Sequence, residues 1–395
     1  MKIDRSGDGV PAANEEVVDF LPTKLDDLDR KQPVEFLNSG DITLNLALSG
    51  RGRDGGWPRG RISNAVGDGS TGKTLAALEL AAHCFYRMMG NKSKNFPPVK
   101  KVKVIINNGE RVMDFPIADM YGKAFDEGVD WRRTPTVEEM GRDITRELIA
   151  IKPGEFVLYI VDSLDSIPSA AGRERFLKAA KTDKEEDASY NAEKAAYLSQ
   201  KFFGNICDLM AGKDFTLFIV SQIRVNFGIT FGKKYHRDGG KALDFYTHAV
   251  AWMYKAGELK RTFHGQERVF GIKTLIQIER SKVTKPFRYT EMQILFDYGI
   301  DSISTSLAFL YGPKVESLVW DLKLKAEREK ALKALRDPGE IEEMKAFIKE
   351  LFFDRAGLIR FIERHNLQDE LARRVEEEWD IIEREVAPTD RLKRY

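Results

Sequence analysis

Between Val34 and Tyr311 short apolar runs alternate with stretches of helical spacing. The runs are Ile62–Val66, Val102–Ile106, Phe156–Val161, Leu217–Val220, Ala249–Tyr254 and Thr274–Ile278. The first four are continuous rather than alternating, the pattern of parallel strands buried on both faces. Helix formers lie between them, as in Leu75–Ala82. Strands alternating with helices predict an α/β fold on a central, mainly parallel sheet. After Pro313 the pattern changes. Residues 314–395 are rich in Lys, Glu, Arg and Leu at helical spacing, broken at Pro338-Gly339 and at Pro388. They predict a small helical C-terminal domain, with charge runs such as Glu376-Glu377-Glu378 on solvated faces. Residues 1–33 are polar except for Val17-Val18-Asp19-Phe20-Leu21. That composition suits an N-terminal arm or a disordered tail. The division expected is therefore 1–33, 34–312 and 313–395.

Composition narrows this picture. The 395 residues suit one large or up to three modest domains. Hydrophobic residues make up 42% and charged residues 32%, as in soluble globular chains. No apolar run is long enough for a membrane span, and Met1 to Asn14 lacks the apolar core of a signal peptide. A cytoplasmic protein with no membrane partner is expected. Cys84 and Cys207 lack metal-ligand spacing and are expected to be buried core residues in a reducing compartment. The net charge of +1 is no overall footprint for nucleic acid, although a balanced chain can still concentrate positive charge on one face.

The strongest chemical signal is Gly67-Asp68-Gly69-Ser70-Thr71-Gly72-Lys73-Thr74. It fits the phosphate-binding loop G-x-x-x-x-G-K-[ST] at every fixed position, between a strand and a helix. Its glycines let backbone N–H groups turn inward onto phosphate oxygens. Lys73 is placed to reach the β- and γ-phosphates, and the Thr74 hydroxyl to meet Mg²⁺. Phe156–Val161 ends in Asp162, an acid at a strand end suited to the same ion. Val102–Ile106 leads through Asn107-Asn108-Gly109 to Glu110, a candidate to orient or deprotonate an attacking water. Position alone favours the plainer reading of an exposed loop glutamate. Phe215–Val220 ends in Ser221-Gln222-Ile223-Arg224, where Gln222 can report a γ-phosphate to the segment that follows. That segment, about 225–240, holds Phe227, Phe231, Lys233, Lys234, His236, Arg237, Gly239 and Gly240. Its basic side chains suit phosphates and its aromatics suit bases; a flexible surface loop is the plainer reading.

Ser221–Arg224, Phe227–Gly232 and Gly239–Tyr246 together resemble the second DNA-binding loop of bacterial RecA recombinases. Ser39–Leu48 resembles that family's entry into its ATPase core, and Pro58–Ile62 its lead into the phosphate loop. Val161–Leu164 resembles its Walker B strand, and Lys282–Phe287 a late core segment. The resemblance covers about residues 35–300. It implies a RecA-type ATPase core with an N-terminal polymerisation arm. It also implies filament formation on single-stranded DNA and strand exchange with homologous duplex DNA, driven by ATP and Mg²⁺. By motif position Glu110 falls on the catalytic glutamate and Gln222 on the link from ATP to the DNA loop. Arg280 and Lys282 fall on a basic pair that reaches the neighbouring protomer's ATP. Asp114 keeps an acidic position near the adenine, but Ile117 stands where the family has a stacking tyrosine, so adenine packing is expected to be apolar. Asp244 replaces a basic interface residue.

The first DNA loop, about 169–190, is longer than the bacterial pattern and offers Arg173, Arg175, Lys178 and Lys181. Arg224, Phe227, Phe231, Lys233, Lys234, Arg237, Gly239 and Gly240 complete the expected DNA surface. The C-terminal region departs from the bacterial domain, and the tail Arg391–Tyr395 is basic where bacterial members usually end acidic. These departures suggest a divergent member, similar in role to the bacteriophage UvsX group. An ATP-binding regulator or helicase-like accessory on the same fold is the alternative.

Overall fold

All six apolar runs form strands of one sheet. A computed structural model describes residues 34–110, 113, 115–182, 190–225, 235–236, 240–312, 318–350 and 352–387. The N-terminal arm, Asp114, Phe227, Phe231, Lys233, Lys234, Arg237, Gly239 and the basic tail lie outside the described residues. In chain order the elements begin with β1 (Phe36–Leu37), α1 (Ile42–Ser49), β2 (Trp57–Pro58), β3 (Ile62–Gly67), α2 (Lys73–Arg87) and β4 (Lys101–Asn108). Next come α3 (Ile117–Tyr121), α4 (Lys123–Gly128), β5 (Asp130–Arg132), α5 (Val137–Ala150) and β6 (Glu155–Asp162). A 3-10 turn at Leu164–Ser166 precedes α6 (Ala170–Thr182) and α7 (Tyr190–Tyr197). A π turn at Leu198–Phe202 then joins α7 to α8 (Phe203–Met210). Next are β7 (Phe215–Gln222), β8 (Arg224–Val225), β9 (Tyr235–His236), α9 (Gly240–Tyr246), β10 (Ala249–Phe263), β11 (Gln266–Ser281), β12 (Tyr289–Leu295) and β13 (Gly299–Ile300). The chain closes with α10 (Ser302–Tyr311), β14 (Leu318–Val319), α11 (Leu322–Ala334), α12 (Pro338–Glu350), β15 (Phe352–Phe353), α13 (Arg355–Arg364) and α14 (Gln368–Glu385).

The main sheet has nine strands in the order β13-β12-β11-β10-β3-β7-β6-β4-β5. From β10 to β5 every pairing is parallel, while β10, β11, β12 and β13 pair antiparallel. Strand periodicity sorts the core into two layers. On β6, Phe156, Leu158 and Ile160 join one apolar cluster with α2, while Val157, Tyr159 and Val161 join another with α5 and α8. On β7, Phe218 and Val220 face the first cluster, and Phe215, Leu217 and Ile219 the second. Both faces of these strands are therefore covered, which is why their sequences show no alternation. Each side chain so buried contributes about 1.5–3 kcal/mol relative to exposure. Helix α5 shows the complementary pattern, burying Val137, Met140, Ile144 and Leu148, with the Thr136 hydroxyl accepting from the Glu139 N–H at 3.3 Å as its cap.

The structure changes some expectations. The stretch expected as a first loop is helical over Ala170–Thr182. Its Ala, Arg, Leu and Lys content favours helix. Strands β10 and β11 run far beyond the apolar runs that announced them, as a hairpin turning at His264-Gly265, where both residues have positive φ. That conformation matches a tight two-residue turn. Cys84 is buried, but Cys207 is only half-buried, one position off the Phe203–Ile206–Met210 face of α8. Within the C-terminal region, α14 buries Leu371, Val375 and Trp379 at i, i+4 and i+8. Val375 and Trp379 belong to the same cluster as α2, and Leu371 to a third cluster with Leu307, Leu318, Leu358 and Ile362. Glu377 and Glu378 are exposed, but Glu376 pairs with Arg53 at 3.2 Å and so leaves the solvated face.

Candidate active site

The carboxyl ends of β3, β4, β6 and β7 meet at one edge of the sheet. Gly67 pairs with Gln222, and Asn108 with Asp162. From Gly67 the chain swings out through exposed Asp68, Gly69 and Ser70 and enters α2 at Lys73. Gly72 has φ +89°, a left-handed conformation that favours glycine. No side chain caps α2. Its first N–H groups are therefore free to meet an anion, with the helix dipole behind them. The loop is braced by Thr71 Oγ1, which donates to the Asp68 carbonyl at 3.0 Å, and by Thr274 Oγ1, which donates to the Thr71 carbonyl at 3.0 Å. Lys73 is buried and donates through Nζ to the Asp68 carbonyl at 2.5 Å. Burial holds its ammonium below the ordinary lysine range, against the opposing pull of Asp162, Glu110, Asp68 and Asp165.

Glu110 and Asp165 are joined through Gln222, and the backbone at Asp162 holds the Glu110 segment close. The Gly109 N–H donates to the Asp162 carbonyl at 2.7 Å, and a Cβ on Gly109 would sit 2.8 Å from the Ser163 carbonyl. This close approach sets Glu110 beside the end of β6. Glu110 Oε1 accepts from Gln222 Nε2 at 2.8 Å and from Ser163 Oγ at 3.0 Å. Asp165 Oδ2 accepts from the Gln222 N–H at 2.7 Å, so Gln222 is held by both its backbone and its side chain. Burial pushes the Asp162 carboxyl up to about 6, opposed by its Thr74 hydrogen bond, reinforced by the charge of Glu110 and opposed again by Lys73.

Asp162 Oδ1 is buried without a hydrogen-bond partner, and Thr74 bonds the same carboxyl group. A hydroxyl and an orphaned carboxylate oxygen suit Mg²⁺, which takes few protein ligands and fills its octahedron with water and phosphate. Among the described residues no cluster of three or more His, Cys, Asp or Glu offers an alternative metal site.

The family model of the RecA N-terminal domain matches residues 22–301. The chain belongs to the RecA family. The RecA protein of Thermus thermophilus is 27% identical over 327 residues, covering 81% of this chain and 86% of that protein. The RecA protein of Treponema pallidum is 28% identical over 284 residues, covering 72% and 61%. That of Legionella pneumophila is 26% identical over 277 residues, covering 70% of each. RecA membership assigns the chain in general terms to recombination and DNA repair, with ATP binding.

The remaining expected residues fall elsewhere on this RecA core. Arg280 pairs with Val250, which pairs with Asn64; the Lys282 N–H donates to the His248 carbonyl, and the His248 N–H to the Ile62 carbonyl. Both cations therefore lie toward the amino end of β3, Lys282 near Ile62, about 16 Å of strand from Gly67, and Arg280 level with Asn64, about 10 Å from it. There Arg280 Nη1 donates to the Asp244 carbonyl and Lys282 Nζ to the Phe245 carbonyl. Ile117 lines a cavity of about 500 Å³ with the apolar Met113, Phe115 and Trp131 and the acidic Asp119 and Asp126. Arg173 is exposed on α6, whereas Arg175 forms an ion pair with Glu193 at 2.5 Å and Lys178 one with Glu174 at 2.6 Å. Arg224 lies on a ribbon opposite His236, and Gly240 opens α9. Sequence reasoning missed Ser163, Asp165 and Lys194. The repeated Asp-Ser in Asp162-Ser163-Leu164-Asp165-Ser166 was the available signal, since a 3-10 turn returns every third residue to one side.

Proposed function

We propose that this chain is an ATP-dependent recombinase that forms filaments on single-stranded DNA and exchanges strands with homologous duplex. The observation that carries the reading is the 2.8 Å bond from Gln222 to Glu110. It joins a carboxylate beside the phosphate loop to the residue that opens the segment 223–240. In this reading Lys73 and the N–H groups of α2 hold the terminal phosphates. Thr74 and Asp162 hold Mg²⁺, which would screen the phosphate oxygens. Glu110 orients the attacking water and takes its proton, with Ser163 and Gln222 fixing which oxygen is free to do so. Arg280 and Lys282 reach the site of an adjacent copy, where cations suit charge developing on the transferred phosphoryl group. Ile117 packs the adenine without an aromatic stack. Arg173, Arg224, Lys233, Lys234 and Arg237 meet DNA phosphates, and Phe227 and Phe231 organise its bases. Among the described residues no helix is long and apolar enough to cross a membrane, and a cytoplasmic site of action belongs to the same proposal.

The test is ATP turnover with and without single-stranded DNA, read beside electron micrographs of the same mixtures. Stimulation together with filaments is expected. Turnover indifferent to DNA, with no filaments, would leave the regulator reading standing. Lys233→Ala/Lys234→Ala should weaken binding on all sequences and reduce the salt slope by roughly 0.7 for each phosphate no longer neutralised. Wild-type slopes would remove these lysines from the interface.

A further inference from the structure

We infer that Lys194 is a positioning residue that couples the α6–α7 segment to the Glu110–Gln222 pair. The inference rests on the proposed function, in which residues 169–190 meet DNA. Lys194 lies on α7, yet its side chain turns inward and the residue is only 4% exposed. Its Nζ donates to the carbonyl of Leu164 at 2.6 Å and to that of Asp165 at 3.2 Å. These carbonyls belong to the 3-10 turn that directly follows the end of β6.

The same turn holds the catalytic candidates. Ser163 Oγ lies 2.9 Å from Ser166 Oγ and donates to Glu110. The Asp165 carboxylate holds the Gln222 N–H. Lys194 therefore grips from behind the one turn whose front face orients both Glu110 and Gln222. The other end of the linkage is Glu193, the preceding residue, which accepts from both terminal nitrogens of Arg175 on α6 at 2.5 and 2.8 Å. A shift of α6 on its ligand pulls on α7 through this pair. The shift reaches the turn through the Lys194 ammonium.

An ammonium is costly to bury unless its hydrogen bonds are made. Packing alone would be served by a methionine at this position. The cation adds direction: it fixes two carbonyls in space, and with them the carboxylate of Asp165. Displacement of a catalytic group by about 1 Å can lower turnover a hundredfold, so a modest movement of the turn is enough to switch hydrolysis.

The experiment uses the full chain with poly-dT as the DNA. Steady-state ATP turnover yields kcat and KM with and without DNA, and fluorescence anisotropy in a slowly hydrolysed ATP analogue yields DNA affinity. Lys194→Met should keep KM and DNA affinity within about twofold while DNA-stimulated kcat falls about tenfold, and Lys194→Arg should restore most of it. A wild type that DNA does not stimulate would overturn the DNA reading and the coupling together. A stimulated wild type with an equally stimulated Lys194→Met would overturn the coupling alone. So would equal loss with and without DNA accompanied by a raised KM, the mark of a merely structural role. If circular dichroism shows that Lys194→Met does not fold, Glu193→Gln carries the test by loosening α6 from α7. Reduced stimulation at unchanged KM supports the coupling, and unreduced stimulation overturns it.

Discussion

The two edges of the nine-stranded sheet carry opposite charge. At the carboxyl edge the Lys73 ammonium is surrounded by Asp162, Glu110, Asp68 and Asp165. At the amino edge Arg280 and Lys282 crowd together, and burial followed by the charge of Arg280 holds Lys282 below the ordinary lysine range. His248, at the same edge, is pushed down to about 4, by burial first and then by Arg61 and Lys282. Within one chain the edges never meet. An anionic edge built to hold a triphosphate needs positive charge from outside itself, and Mg²⁺ is one source. The cationic edge of an adjacent copy is the other in the proposed filament, where the carbonyls of α9 hold Arg280 and Lys282 until a phosphate competes for them. The difference between the edges is the physical reason to expect a site shared between subunits.

The largest effect should come from removing the phosphate-loop cation of the anionic edge. Lys73→Ala should lower turnover about a thousandfold and abolish binding of a fluorescent ATP analogue. Near-normal hydrolysis would dissolve the site. Glu110→Gln should follow, with turnover down about a hundredfold but ATP binding intact and DNA complexes longer-lived. Unchanged turnover would move the water-activating role to another residue. The cationic edge is tested by Arg280→Ala/Lys282→Ala, inactive alone, mixed with Lys73→Ala. Random 1:1 filaments would hold about a quarter of junctions with one intact composite site, if the interface is heterologous. Recovery of that order is expected, and none despite proven co-assembly would refute sharing.

The smallest effect concerns stability without nucleotide. The Asp162 carboxyl titrates near 6 folded against 3.8 unfolded. As pH rises from 4 to 6 the unfolded chain releases a proton that the folded chain retains, so stability falls over that window and stays low above it. Asp162→Asn lacks this loss and should be more stable than wild type at pH 8 by about 2 kcal/mol, with the gain vanishing near pH 3. Thermal melts at both pH values check this, and an equal gain at both would assign it to packing rather than charge.

Much of the fold was readable because it is local. Continuous apolar runs marked β3, β4, β6 and β7, since strands buried on both faces need no polar alternation. The half-exposed parts of β10 and β11 were not readable. Lys255–Phe263 and Gln266–Phe270 are mostly exposed and hold together by cross-strand pairs such as Lys260 to Glu267 at 3.0 Å. Helix α6 sits where the family resemblance implies a loop, although its own residues favour helix. Of the site, the phosphate loop was legible from eight consecutive residues. Asp165 had a signal in the repeated Asp-Ser that went unread, whereas Lys194 had none, because nothing in a lysine on an alanine-rich helix says that it points inward.

By itself the sequence determined the phosphate loop, the strand-forming runs and the kinds of side chain offered at their ends, because each depends on neighbours within a few residues. Tertiary structure decided which of those ends meet. Strand β3 is inserted between β7 and β10, and β6 lies between β7 and β4, so residues distant in sequence become adjacent. Gln222 reaches Glu110 across 112 positions, and Thr274 holds Thr71 across 203. The same order sent Arg280 and Lys282 to the far edge, because β11 runs antiparallel to β10 and ends where β3 begins. Strand order is a property of the closed sheet, set by burial of both its faces at once.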